Sequence, residues 1–305
     1  MRIPILSEDL LKIIALSTFA VILILAFSVI TSDNIPEFSS VENYQGSLKK
    51  GEYIFNASGC ASCHSSPDTT DEEKLVLTGG RAFPSPFGTF YAPNISMDKV
   101  HGIGAWSEKE FVNAVRHGVS PEGKHYYPSF PYTAYANMTD QDIADLWVYF
   151  RSIPESSKPS IDHDLPIYIR WRRPVAFWKL LNNSEPTVKL ISSDPTVERG
   201  AYLVETLAHC GECHTSRNLI GGLQYEYWLG GAKNPAGKGI IPNITPAKLN
   251  WSEEEIVEYL TSGFTPDFDV AGGHMVDVIK NTSRLTEEDR LSIAKYLKAI
   301  PGVKK

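Results

Sequence analysis

Cysteine and methionine are both scarce in this chain, four of each in 305 residues. Basic runs are missing as well. The formal net charge is −7, and no lysine or arginine run is longer than a pair such as Arg172-Arg173. That excludes the basic footprint of a nucleic-acid-binding protein. No cluster of acids, bases and nucleophiles suggests a catalytic centre of its own. What is present, 42% hydrophobic and 21% charged residues, suits a folded body of one large or two ordinary domains and argues against wholesale disorder.

Charge is absent altogether from Ile13 to Ile30, "IIALSTFAVILILAFSVI". At about 1.5 Å per residue that run approaches the ~30 Å hydrocarbon thickness of a bilayer. Arg2 and Lys12 precede it, while Asp33, Glu37 and Glu42 follow before Lys49, so the positive-inside rule places the body outside the cytoplasm. A cleaved signal peptide is the rival reading. Its cleavage site near Ala26-Phe27-Ser28 is poor, and the apolar run continues through Val29 and Ile30. The expectation is a short cytoplasmic N-terminus (1–12), a single-pass anchor (13–31) in a bacterial inner membrane, and a polar tether (32–47) leading to a periplasmic body.

The body repeats itself once. "GEYIFNASGCASCH" (51–64) is answered by "GAYLVETLAHCGECH" (200–214), "APNIS" (92–96) by "IPNIT" (241–245), "WSEKEFVNAVRHG" (106–118) by "WSEEEIVEYLTSG" (251–263), and "MTDQDIADLWVYFRSIP" (138–154) by "LTEEDRLSIAKYLKAIP" (285–301). Four blocks in one order predict two homologous domains, 48–155 and 195–305. Ser107 with Glu110 and Ser252 with Glu255 spell capping boxes, Thr139 and Thr286 start the final helices, and Pro154 and Pro301 stop them. The glycine- and proline-rich stretches "GGRAFPSPFG" and "GGAKNPAGKGIIPN" look too irregular for a sheet. The predicted fold class is mostly α, with an N-terminal transmembrane helix and two tandem domains with long loops. Between them, the linker 156–194 mixes Arg170, Arg172, Arg173 and Lys179 with Trp171, Phe177 and Trp178. A linker is expected to pack its aromatics between the domains it joins; a membrane interface or a partner protein is the alternative.

All four cysteines fall in two copies of Cys-x-x-Cys-His: Cys60, Cys63, His64 and Cys210, Cys213, His214. A redox dithiol gives no reason for the histidine and expects a βαβ setting; zinc needs two further ligands at recognisable spacing. A c-type haem accounts for every position. Two sulfurs form thioethers with the porphyrin vinyl groups, and one helical turn sets the histidine against the iron. Two covalently attached haems c are therefore expected, with His64 and His214 as near ligands.

The far side of each iron needs another donor, and a methionine there makes an electron-transfer site. Met1 opens the chain and Met97 has no counterpart in the second repeat, leaving Met138 and Met275. Met275 stands on a glycine-rich loop ahead of the last helix. Met138 aligns with Leu285, where a staple against Ile143 accounts for it equally well. His101, His117 and His125 are further candidates, and Tyr127-Pro-Ser-Phe130 fills the place nearest Met275 in register without a ligand.

With these motifs, and with "GRAFPSPFGTFYAPNIS", "YYPSFPYTAYANMTDQDIADLWVYF", "ERGAYLVETLAHCGECHTSRN" and "FWKLL", residues 48–302 resemble the multihaem cytochrome c subunits of bacterial membrane-bound dehydrogenases. Many members carry three haems and a C-terminal membrane element, where this chain has two motifs and an N-terminal run. Many have methionine at the place of Phe130; others pair phenylalanine there with methionine at the place of Met138. The resemblance implies cytochrome c domains, His/Met iron, and an electron-transfer subunit rather than an enzyme, with a dehydrogenase, a soluble cytochrome c or a terminal oxidase as partner. Its rivals are a peroxidase-like or thiosulfate-oxidising dihaem enzyme with an open first haem, and a dihaem subunit of a haem–copper oxidase.

Overall fold

The computed structural model describes residues 7–31, 41–67, 73–182, 192–237 and 239–304. Helix α1 (Glu8–Thr31) is exposed from Glu8 to Leu25 and is long and apolar enough to cross a membrane. It starts ahead of the apolar run because Ser7 caps it, accepting from the Leu10 N–H at 3.3 Å. The first repeat carries α2 (Leu48–Ala57), α3 (Cys60–His64), strands β1 (Ala82–Ser85) and β2 (Gly88–Tyr91), α4 (Glu108–His117), α5 (Tyr132–Tyr135) and α6 (Asp140–Phe150). A connecting segment holds α7 (Ile167–Arg170) and α8 (Pro174–Asn182). The second repeat follows with α9 (Pro195–Ala201), α10 (Gly211–His214), β3 (Ala232–Lys233), β4 (Ile240–Ile241), α11 (Glu253–Ser262), α12 (Met275–Thr282) and α13 (Glu287–Ala299).

The described molecule is mostly helical, and its helix starts follow local chemistry. Both capping boxes form, with Ser107 and Ser252 accepting from the N3 amides while Glu110 and Glu255 reach back. Thr139 and Thr286 cap α6 and α13. Gly118 and Gly263 close α4 and α11 in the left-handed conformation that a side chain disfavours.

The two loops expected to be irregular instead contain short hairpins. Ala82 pairs with Tyr91 and Ser85 with Gly88; Ala232 pairs with Ile241. Two-stranded ribbons this small escape a sequence pattern, because prolines interrupt the alternation that marks a strand.

In each repeat the first helix crosses the last, α2 on α6 and α9 on α13. Glycine lets the backbones touch. A Cβ on Gly51 would stand 2.0 Å from the Asp145 carbonyl oxygen, and one on Gly200 1.9 Å from that of Ser292. Beyond Gly200 the second repeat has one residue more than the first before its cysteines, and Tyr202–Leu207 accommodates it as a π-helical turn.

Residues 32–40 of the expected tether lie outside the described residues, as do 183–191 of the linker. The stretch 41–47 is packed rather than free. Val41 is wholly buried, the Ser47 N–H donates to Asp145 Oδ1 at 2.6 Å, and the Gln141 amide donates to the Gln45 carbonyl at 3.1 Å. The linker also departs from expectation. Trp171 and Phe177 are exposed, not sandwiched between the repeats, and only Trp178 among these aromatics is half-buried, donating from Nε1 to the Ile220 carbonyl at 2.7 Å. The side chain that turns inward is Lys179, whose three N–H bonds are met by backbone carbonyls and a ring nitrogen of the first repeat.

Candidate functional site

Each Cys-x-x-Cys-His run occupies one tight helical turn. A left-handed residue precedes the first cysteine in both, Gly59 at φ 63° and His209 at φ 39°. The turn then presents its two thiols and ends on the histidine.

The histidines are held identically. His64 Nδ1 lies 2.9 Å from the Pro93 carbonyl oxygen, and His214 Nδ1 lies 2.8 Å from that of Pro242. A carbonyl can only accept, so Nδ1 carries the proton and Nε2 keeps its lone pair for a metal. Burial pushes both imidazoles below their usual pKa, towards this neutral form.

The supports of that bond also repeat. The Gly79 N–H donates to the His64 carbonyl at 2.6 Å, and the Gly231 N–H to the His214 carbonyl at 2.7 Å. Both glycines have positive φ, 73° and 85°, and lie against the proline segments. Asn94 donates to the carbonyls of Ser156 and Lys158, and Asn243 to that of Val303, so each proline is followed by a side-chain anchor. Pro93, Asn94, Pro242 and Asn243 thus join the site. The repeated P-N in "APNIS" and "IPNIT" was their signal, although a carbonyl acceptor has no side-chain signature.

The donor set fits a porphyrin better than a bare ion. Among the described residues no three of His, Cys, Asp and Glu converge on one point, as zinc would require. A haem brings four nitrogens of its own and asks the protein only for axial ligands and attachment. Burial pushes the thiols up, Cys60 and Cys210 to about 12 and Cys63 to about 11, with Cys213 also raised. A reactive dithiol shows the reverse.

Met138 is 2% exposed, between α5 and α6, in the core cluster that also holds Ile143 and Met97. Its carbonyl accepts from the Arg116 guanidinium, which pairs with Asp140 at 2.7 Å. Met275 is half-buried against the same cluster and forms the first residue of α12, not a free loop. Of the other histidines, His125 accepts the Lys179 ammonium at Nδ1, 3.0 Å away. Burial, reinforced by Lys179, pushes its pKa down to about 4. His117 ends α4 and His101 is half-buried, its backbone N–H donating to Asp98 Oδ1 at 2.7 Å.

The two turns also adjoin. Asn281 of α12 donates to the Ser62 hydroxyl at 2.7 Å, and Arg81 bridges the Ser62 carbonyl to Asp277 of α12. Reciprocally, Thr133 of α5 donates to Glu212 in the second turn at 3.3 Å. Cys213 lies close enough to Cys63 to help raise its pKa.

Comparison with known proteins agrees with this geometry. Residues 48–154 match the family described as Cytochrome c. The chain is 52% identical over 258 residues to a diheme cytochrome c-type protein of Cereibacter sphaeroides, covering 85% of this chain and 87% of that one. It is 34% identical over 266 residues to the fructose dehydrogenase cytochrome subunit of Gluconobacter japonicus, covering 85% of this chain and 54% of the relative. Against the gluconate 2-dehydrogenase cytochrome c subunit of Pantoea cypripedii the figures are 34% over 269 residues, 83% and 59%. The chain spans little more than half the length of these two dehydrogenase subunits.

Proposed function

The chain belongs to the family of c-type cytochromes that includes dihaem cytochromes and the cytochrome subunits of fructose, gluconate and alcohol dehydrogenases, and from that premise we propose that it is a dihaem electron carrier, anchored by α1 in a bacterial inner membrane with its body in the periplasm, that moves single electrons between a dehydrogenase and a respiratory acceptor. Bound haem supplies an iron that gains and loses one electron. The chain's own residues do the rest, in two cytochrome c domains spanning 48–155 and 195–305. Cys60 and Cys63, and Cys210 and Cys213, are the attachment sulfurs. His64 and His214 present Nε2, with Pro93 and Pro242 fixing the ring and keeping the proton on Nδ1. Met138 and Met275 would supply the thioether ligands.

The observation that carries this reading is the reciprocal contact of the attachment turns, each seated on a helix of the other repeat through Ser62 with Asn281 and Glu212 with Thr133. Two cofactor sites meeting at one interface is what transfer within a chain requires. The experiment is the intact mass of the denatured purified chain together with a reductive titration. Two haem masses and two electrons per chain are expected. One haem, or none, sinks the proposal.

A further inference from the structure

Helix α8 wears its amphipathicity the wrong way round for a water-facing surface. Lys179 is 9% exposed, its ammonium donating to the Gly118 carbonyl at 2.8 Å and lying 4.5 Å from the Tyr132 ring centre. Val175 and Trp178 share that inward face. Outward stand Phe177, Leu180 and Leu181, all exposed, at the i, i+3, i+4 spacing of a single helical stripe.

The patch continues beyond the helix. The Trp178 bond to the Ile220 carbonyl draws the turn 218–221 of the second repeat alongside, and at its tip Leu219 is 98% exposed with Ile220 beside it. On the other flank Ile167, Tyr168 and Trp171 are exposed too, next to Arg170 and Arg173. An apolar surface of this extent, drawn from the connecting segment and the second repeat, marks an interaction site.

What covers it is indicated by α1, which lies against α8. Resting on the reading of α1 as a membrane anchor, we propose that the outward stripe of α8 and the 218–221 turn sit in the headgroup–acyl boundary of the phospholipid bilayer. Tryptophan, tyrosine and arginine flanking leucine and phenylalanine is the composition of an interfacial segment, with apolar bodies in the lipid and cationic heads at phosphate level. Contacts from the connecting segment and the second repeat then fix the orientation of the whole body over the membrane, which a single helix on a tether does not do.

The test uses the full-length haem-loaded protein in phospholipid vesicles doped with a phospholipid that carries a photoactivatable group at the headgroup–acyl boundary. After irradiation, labelled peptides are mapped by mass spectrometry. Label is expected within 167–181 and 218–221 as well as in α1, and not around exposed Val100 or Phe268. A Leu180→Ser, Leu219→Ser variant, altering only exposed side chains, should lower labelling of both patches severalfold with α1 labelling unchanged. Label confined to α1 overturns the inference while the anchor reading stands; its absence from α1 overturns both. Equal labelling at Val100 and Phe268 overturns the interfacial placement. So does a cross-link from 177–181 to a protein subunit in native membranes without lipid label, which would assign the surface to a protein partner.

Discussion

The Tyr53 hydroxyl donates to the Asp289 carboxylate at 2.6 Å across the boundary between the repeats, and the Tyr202 hydroxyl donates to Asp142 at 2.5 Å in the opposite direction. Each hydroxyl also accepts the N–H of the partner helix's cap residue, Thr286 at 3.2 Å and Thr139 at 3.1 Å. The four residues occupy equivalent places in the two repeats. The interface is therefore self-complementary about an approximate twofold, the arrangement of a symmetric dimer enclosed in one chain. It also satisfies cap amides that no intrahelical partner reaches.

Removing the Tyr202 hydroxyl takes the donor from half-buried Asp142 Oδ2 and the acceptor from the Thr139 N–H; removing that of Tyr53 strands the Thr286 N–H and leaves buried Asp289 Oδ2 to Arg199. Tyr53→Phe and Tyr202→Phe should each cost about 1–3 kcal/mol. Chemical denaturation of the haem-loaded protein measures the loss. A variant as stable as the parent would show that water replaces these bonds without penalty.

Asp289 also makes the interface acid-sensitive. Burial pushes its carboxyl up, but Arg199, donating at 2.8 and 2.6 Å, and Tyr53 outweigh that and hold it below the ordinary carboxylate range. A carboxylate with a depressed native pKa contributes stability that is complete above its unfolded value, about 3.9, and is lost as pH falls through the native value. The parent's advantage over Asp289→Asn should accordingly be constant above about pH 4 and shrink below it. Denaturant midpoints across that range decide the matter, and a gap that stays constant into acid would be the wrong result.

Much of this was legible because it is local. Capping boxes at Ser107 and Ser252 are decided within one turn of chain, and the duplicated blocks announce two matching sets of helices. The Pro93 and Pro242 carbonyls were not legible, since a backbone acceptor leaves no residue type to recognise; only their repetition in P-N hinted at a role. The spacing of Phe177, Leu180 and Leu181 reveals a stripe but not which way it faces, and Lys179 reverses the usual direction. The Tyr53–Asp289 and Tyr202–Asp142 pairs span the two repeats, and the contact depends on how those repeats dock.

Gly231 tests the support of the near histidine. Its φ is 85°, and a Cβ there would stand 2.9 Å from both the Asn243 nitrogen and the Ile241 oxygen, beside the carbonyl that holds His214. Gly237 has a similar φ of 89° with nothing within 4 Å of a Cβ. Gly231→Ala should displace the Pro242 segment and loosen the imidazole, giving partial high-spin character in the visible spectrum, whereas Gly237→Ala should bear only the backbone penalty. Identical low-spin spectra from both would detach Gly231 from the site.

Met138 stands where two roles make opposite demands on one substitution. As a helix staple it needs only an apolar side chain, and the second repeat uses Leu285 at the same place, 4% exposed. As an iron ligand it needs the thioether sulfur. Met138→Leu nearly conserves volume, so the core around Ile143 should lose less than about 1.5 kcal/mol. If Met138 is the ligand, that stable variant nevertheless loses the charge-transfer band of one methionine-ligated ferric haem and lowers the potential of one of the two centres, because a thioether favours the reduced iron. Met275→Leu should do the same to the other centre, and the double variant should lose both bands. A Met138→Leu protein that keeps both bands and both potentials would return the residue to the hydrophobic staple alone.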